Sequence, residues 1–271
     1  MKNKILHIIN AGIRRKSYWY NDILFADCPK FWKHRTFNLD IVNLGSSSGK
    51  YAFDYSGLGL KGANWAMAPQ SLVADLAILK TYSSFLKPQG GTVLIPLCPF
   101  SCLGGSSLYL PDKYYSILRM SSIPYCSYKK QQEVFAKRDN PLRYYPSVEV
   151  IRDIWRLFRN PDNSIPEKEF RWNAEQFING WMHEFSILDF KHPLILKNQD
   201  AYEDGVRILN EMIRFCLERN FRPVIVIPPV TKQLSLLFTA DMRERFIYSF
   251  IEQGNKQGIE FFGLFRGCGF F

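Results

Sequence analysis

The feature that most constrains this chain is a set of short, largely apolar runs, each stopped by glycine or proline and separated by stretches of helical period. Residues 39–44 (Leu-Asp-Ile-Val-Asn-Leu) stop at Gly45, residues 92–98 (Thr-Val-Leu-Ile-Pro-Leu-Cys) at Pro99, and residues 224–227 (Val-Ile-Val-Ile) at Pro228 and Pro229. Apolar runs without strict alternation are what strands buried on both faces look like. Within the second run Pro96 has no N–H to give a ladder, which places it at the strand's exposed end or at a bulge. Between the runs, Ser71 suits the N-cap of a helix reaching to about residue 85, in which Leu72, Leu76, Leu79 and Leu86 recur near the helical period. A second stripe, Val206, Leu209, Ile213, Cys216 and Leu217, follows Asp200 and Glu203, which have capping-box spacing, and Asn220 suits that helix's end. A short strand at 64–67, a helix over 242–256 and a strand over 259–264 complete the pattern. Helices alternating with buried strands predict an α/β fold: a parallel sheet covered on both faces, in three α/β/α layers.

The 271 residues fit one such domain, 1–271, and 46% hydrophobic content is enough for an ordinary core. Residues 101–193 are less regular, with helices expected over 148–158 and 175–185, and read as an insertion or cap. Aromatics at 15% mostly fill space. The formal charge is +10, and residues 113–159 hold ten basic and four acidic side chains. That segment reads as a solvated helix face, with binding to anionic lipid or an acidic polysaccharide as the other reading. No nucleic-acid motif is present. The six cysteines have no CxxC spacing; Cys98 and Cys216 read as small core residues, and neither a metal site nor a disulfide framework is expected. That usage suits a reducing compartment. The N-terminus lacks the pattern of a signal peptide and no run reaches membrane-spanning length, so the expected location is cytoplasmic or peripheral to a membrane.

In a parallel sheet, ligands are met at the carboxyl ends of the strands. Residues 45–48, 99–101 and 228–231 all fall at such ends. Of these, Gly45-Ser46-Ser47-Ser48-Gly49 is the candidate site. Glycine permits a sharp turn that presents a hydroxyl at the sheet's edge, where a serine becomes a nucleophile if a base takes its proton. Small polar residues also suit any βα loop, so the turn alone is a weak signal.

Asn43-Leu44-Gly45-Ser46-Ser47 resembles the first block of SGNH/GDSL hydrolases, where a Gly-x-Ser turn after the first core strand carries the nucleophile. Gly62-Ala63-Asn64-Trp65-Ala66-Met67-Ala68-Pro69-Gln70-Ser71 resembles the second block of the branch related to the teichoic-acid D-alanylation protein. Val224-Ile225-Val226-Ile227-Pro228-Pro229-Val230 is similar to that branch's strand with a proline turn. The resemblance runs from about residue 39 to 264. It implies a flavodoxin-like sheet and a link to bacterial capsule or exopolysaccharide production. Carried over by position, Ser47 is the nucleophile, and Gly45, Ser48, Asn64 and Gln70 are the oxyanion and substrate residues. Asn64 reads equally as a strand-end hydrogen-bonding residue and Gln70 as a helix-start residue. No cofactor and no metal are implied.

The resemblance also implies an Asp-x-x-His after the last core strand, and no histidine lies beyond His192. His7 reads as a core or strand residue, His34 as exposed, His183 as helical and His192 as a loop residue, and none of the four is taken as the histidine of such a motif. The tail from Phe261 to Phe271 is aromatic and glycine-rich, and is read as a shortened or frame-shifted end or as a segment that packs on a partner. Three functions stay open: an esterase or O-acyl transferase acting on an acylated surface polysaccharide, a non-catalytic glycan- or partner-binding relative, and an inactive truncated product.

Overall fold

The computed structural model describes residues 2–33, 36–103, 110–158 and 167–263. The chain forms two compact units, one of Met1–Lys33 with Tyr109–Ser164 and the other of His34–Leu108 with Ile165–Phe271.

The larger unit carries the sheet. Its strands are β1 (Ile41–Asn43), β2 (Gly62–Asn64), β3 (Thr92–Pro96), β4 (Arg222–Ile227) and β5 (Phe261–Gly263), all parallel, in the order β2-β1-β3-β4-β5. This is the doubly wound order with its switch point between β1 and β3. Register aligns Ala63, Val42, Val93 and Pro223 in one row and Ile95, Ile225 and Phe261 in the row two residues on, so Val42, Val93, Ile95, Ile225 and Ile227 share one face. All five are buried. Right-handed crossovers put the helices leading into β3, β4 and β5 on one side of such a sheet and the helix between β1 and β2 on the other. Accordingly Leu196–Leu217 packs between Leu72–Tyr82 and Ser249–Gly254. Ser47–Ala52, between β1 and β2, meets the opposite face, where the Asn43 side chain reaches the Gly49 carbonyl. The result is the three-layer α/β/α arrangement expected from the alternation of elements.

Several boundaries moved. Ser71 caps its helix as expected, its hydroxyl accepting from the Ala74 N–H, and Leu72–Tyr82 continues in a single turn to Phe85. Asn220 takes a left-handed conformation (φ +59°) after the 196–217 helix, a cost that asparagine bears well. The capping box at Asp200 and Glu203 is a correction: the helix starts at Leu196, four residues earlier, without a side-chain cap. The second strand is Gly62–Asn64, not 64–67; Trp65, Ala66 and Met67 lie beyond its end and are buried. Pro96 is the last residue of β3 and is buried, so its missing N–H is tolerated at the strand's end but not by exposure. The tail beyond Gly263, with Leu264 and Cys268, lies outside the described residues, as does His34.

The smaller unit is helical. Lys2–Lys16, Tyr128–Asp139 and Ser147–Phe158 are its longer elements. The first was not foreseen, and it corrects the reading of His7, which sits exposed on a helix. Asp112 holds Lys130 and Lys137 at 2.8 Å each. Asp153 accepts from the Ser17 hydroxyl at 2.7 Å, and Trp19 stacks on Tyr145 at 4.9 Å. No helix among the described residues is long and apolar enough to cross a membrane.

Candidate functional site

The turn after β1 is built by three polar clusters, and each of its serines has a different situation. Gly45 has φ +104°, a conformation that favours glycine, and a Cβ there would also press on the Pro96 ring at 3.2 Å. Its N–H donates to Asp75 Oδ1 at 2.7 Å. The Gln70 side-chain amide donates to the same oxygen. Gln70 also donates its backbone N–H to Ser46 Oγ at 3.1 Å. Asp75, in the first turn of the 72–82 helix, is only 3% exposed. Burial pushes its carboxyl up to about 7, against the lowering pull of the Gly45 and Gln70 hydrogen bonds.

The second cluster is centred on Asn43, fully buried at the end of β1. Its amide donates to the carbonyls of Leu44 (3.1 Å) and Gly49 (3.0 Å) and to Asn64 Oδ1 (3.0 Å), and its oxygen accepts from the Tyr55 hydroxyl at 2.9 Å. Asn43 and Asn64 can meet because they are register partners on neighbouring strands. The Asn64 amide donates to Gly49 O and Lys50 O at 3.1 Å, while its oxygen also accepts from the Ala66 N–H. Both ends of Asn64 therefore hold the turn. Gly49 closes it: a Cβ there would stand 2.4 Å from the Leu44 carbonyl oxygen.

In the third cluster Ser48 Oγ lies 2.6 Å from Cys98 Sγ, just past β3, and Cys98 N–H donates to Ser101 Oγ. That leaves Ser47, the first residue of the 47–52 helix, exposed and with no hydrogen-bond partner for its hydroxyl among the described residues. The opening turn of a helix leaves its N–H groups without intrahelical acceptors, so the amides of Ser47 and Ser48 stand beside that hydroxyl. The structure thus brings Gly45, Ser48, Asn64 and Gln70 together around the turn that displays Ser47. It adds Asn43, Tyr55 and Asp75, which the sequence reading missed. Asp75 left a trace in the sequence: one carboxylate inside the apolar opening Leu72-Val73-Ala74 of a buried helix.

An aspartate–histidine pair was also missed. Asp189 stands three residues before His192, so an Asp-x-x-His is present, and the reading that none of the four histidines carries one is corrected. It precedes the 196–217 helix, whereas the resemblance places such a motif after the last strand. His192 Nδ1 meets Asp189 Oδ2, while Asp189 Oδ1 accepts the backbone N–H groups of Lys191 (2.7 Å) and His192 (2.8 Å). The two backbone N–H groups, of His192 and then Lys191, together with the ring, hold the carboxyl down at about 2. Arg245 donates to the Phe190 and His192 carbonyls, and the Phe190 ring sits against Phe100, which follows β3. The helix that connects β3 to a parallel β4 begins at the sheet's carboxyl edge, so this pair shares an edge with Ser47. A cavity of about 40 Å³ is lined by Asp189, His192, Asn198 and neighbouring loop residues, and Ser47 is not one of them. A second concavity, about 700 Å³, lies among Lys80, Arg207, Glu211 and Arg214 on the outer side of the 196–217 helix, where Lys80 and Arg207 already pair with Glu211.

Among the described residues no cluster of three or more His, Cys, Asp or Glu side chains is placed to hold a metal ion. No family model matches this chain, and neither a curated protein nor a solved structure is significantly similar to it.

Proposed function

We propose that the chain is an SGNH-like protein whose chemistry is acyl-ester cleavage or O-acyl transfer on a bacterial surface polysaccharide, with Ser47 as nucleophile. One observation carries this reading: the exposed Ser47 hydroxyl in the first turn after β1, at the switch point of a β2-β1-β3-β4-β5 parallel sheet. In this reading the Ser47 hydroxyl attacks the ester carbonyl and the Ser48 N–H steadies the oxyanion. Gly45 and Gln70 hold Asp75, and Asn64 holds the backbone carbonyls of Gly49 and Lys50, so these three residues act by fixing the turn. A serine needs a base to lose its proton, and His192, oriented by Asp189, is the residue to test in that role. No hydrogen bond joins it to Ser47 among the described residues, and this favours a second reading: a non-catalytic relative that binds a glycan or a partner through the same fold.

The test is labelling with a fluorophosphonate probe, together with hydrolysis of p-nitrophenyl acyl esters. The first reading expects labelling and turnover by the wild-type chain and neither by Ser47→Ala. Absence of both from folded wild-type protein, with retained binding to an acylated polysaccharide, replaces the first reading with the second.

A further inference from the structure

The smaller unit has an unusual distribution of charge and apolar surface. Residues 1–33 and 109–164 contain 17 Lys and Arg against 8 Asp and Glu, so nine of the chain's ten excess positive charges lie there; the remaining residues hold 18 against 17. Within this unit the 147–158 helix packs by its polar side. Asp153 accepts from Ser17, from the Trp19 N–H and from the Tyr145 hydroxyl, and the Arg156 guanidinium lies over the Tyr18 ring at 3.5 Å. The opposite side, formed by Val148, Ile151, Ile154 and Trp155, faces outward, with Trp155 67% exposed. Positions 148, 151 and 155 fall on one stripe of a helix, so the exposed apolar residues are contiguous. The opening turns of the 2–16 helix repeat the pattern: Ile5 and Ile8 are exposed, Ile8 at 69%, and the same helix ends in Arg14, Arg15 and Lys16.

A helix that packs by its polar side and turns a tryptophan and branched aliphatics outward leaves apolar surface in water at a cost that only an occupant removes. The concentration of positive charge in the same unit says what kind of occupant. We propose that the unit of residues 1–33 and 109–164 binds the surface of an anionic lipid bilayer, with Val148, Ile151, Ile154 and Trp155 entering the headgroup–acyl boundary and the unit's excess of positive charge drawing it to acidic headgroups. Apolar insertion supplies part of such binding and electrostatic attraction the rest, so it depends both on lipid charge and on salt. This proposal does not rest on Ser47 chemistry, and Ser47→Ala is expected to bind vesicles as the wild type does.

The experiment is co-sedimentation of the full chain with vesicles of phosphatidylcholine alone and of phosphatidylcholine with phosphatidylglycerol, at low and high salt. Binding is expected to the mixed vesicles only, and it is expected to be released as salt rises. The double variant Ile151→Ser, Trp155→Ser is expected to bind about tenfold more weakly while keeping the wild-type circular dichroism, because both side chains are exposed. Equal binding to both vesicle types, or binding to neither, overturns the proposal. So does a dimer in solution that the double variant dissolves, which assigns the face to a second copy of the chain. Binding to an acidic polysaccharide without binding to mixed vesicles overturns it as well.

Discussion

Asp75 offers the sharpest test of the packing behind the site. Its carboxyl is buried, accepts from the Gly45 N–H and from Gln70, and is raised from 3.8 to about 7 by loss of water. The folded carboxyl therefore holds a proton that the unfolded chain releases above about pH 4. The sign follows from linkage: the folded state binds more protons between pH 4 and 7, so the stability Asp75 contributes is complete below pH 4 and is lost as pH rises through 7. About three pH units at roughly 1.4 kcal/mol each gives about 4 kcal/mol. Asp75→Asn is an isostere of the protonated form. Its amide oxygen keeps both accepting roles, and it cannot ionise. Urea unfolding of both proteins, followed by fluorescence from pH 4 to 8, should show the variant gaining about 4 kcal/mol relative to wild type as pH rises. Carboxylates held below their ordinary values, such as Asp112 and Asp153, titrate alike in both proteins and cancel in the difference. A difference that stays flat across this range, or that falls, refutes the reasoning, because Asp75 would then be ionised in the folded protein.

Other substitutions test the rest of the turn. Asn43→Ala removes three donated bonds and the acceptor for the Tyr55 hydroxyl, and should lower stability by about 3 kcal/mol in urea unfolding; a loss under about 1 kcal/mol would mean the cluster is not a single unit. Gly49→Ala pits two effects of opposite sign: helix propensity favours alanine by about 1 kcal/mol, but the new Cβ meets a backbone oxygen at 2.4 Å. The clash should win and the urea midpoint should fall; a rise would show that the Leu44 carbonyl gives way. In His192→Ala the Asp189 carboxyl should remain below the ordinary carboxylate range in an NMR titration, because the largest causes of its lowering are the two backbone N–H groups; a return to about 4 would assign the effect to the ring.

Much of the fold was legible in the chain itself. The runs at 39–44, 92–98 and 224–227 are too apolar for any strand with a wet face, and the glycine or proline ending each one marks a strand end. A parallel sheet with helices on both faces follows from those two facts, and so does the placement of the Ser47 turn at a carboxyl edge. The helix start at Leu196 was hidden, because Asp200 and Glu203 have the spacing of a cap yet lie inside a helix that the tertiary packing extends. The 2–16 helix was hidden for a related reason: its exposed apolar opening gives no core-facing stripe to read. The site divides in the same way. Sequence determined that Gly45 bends the chain and that a serine follows, because local backbone conformation depends on neighbours along the chain. Only the tertiary structure decided which serine is displayed. Ser46 is taken by Gln70 and Ser48 by Cys98, partners 24 and 50 residues away, and Ser47 remains outward. Asp75, distant in sequence from Gly45 by 30 residues, acquires its role only when burial removes its water, and desolvation is a property of the folded surroundings that no local pattern carries.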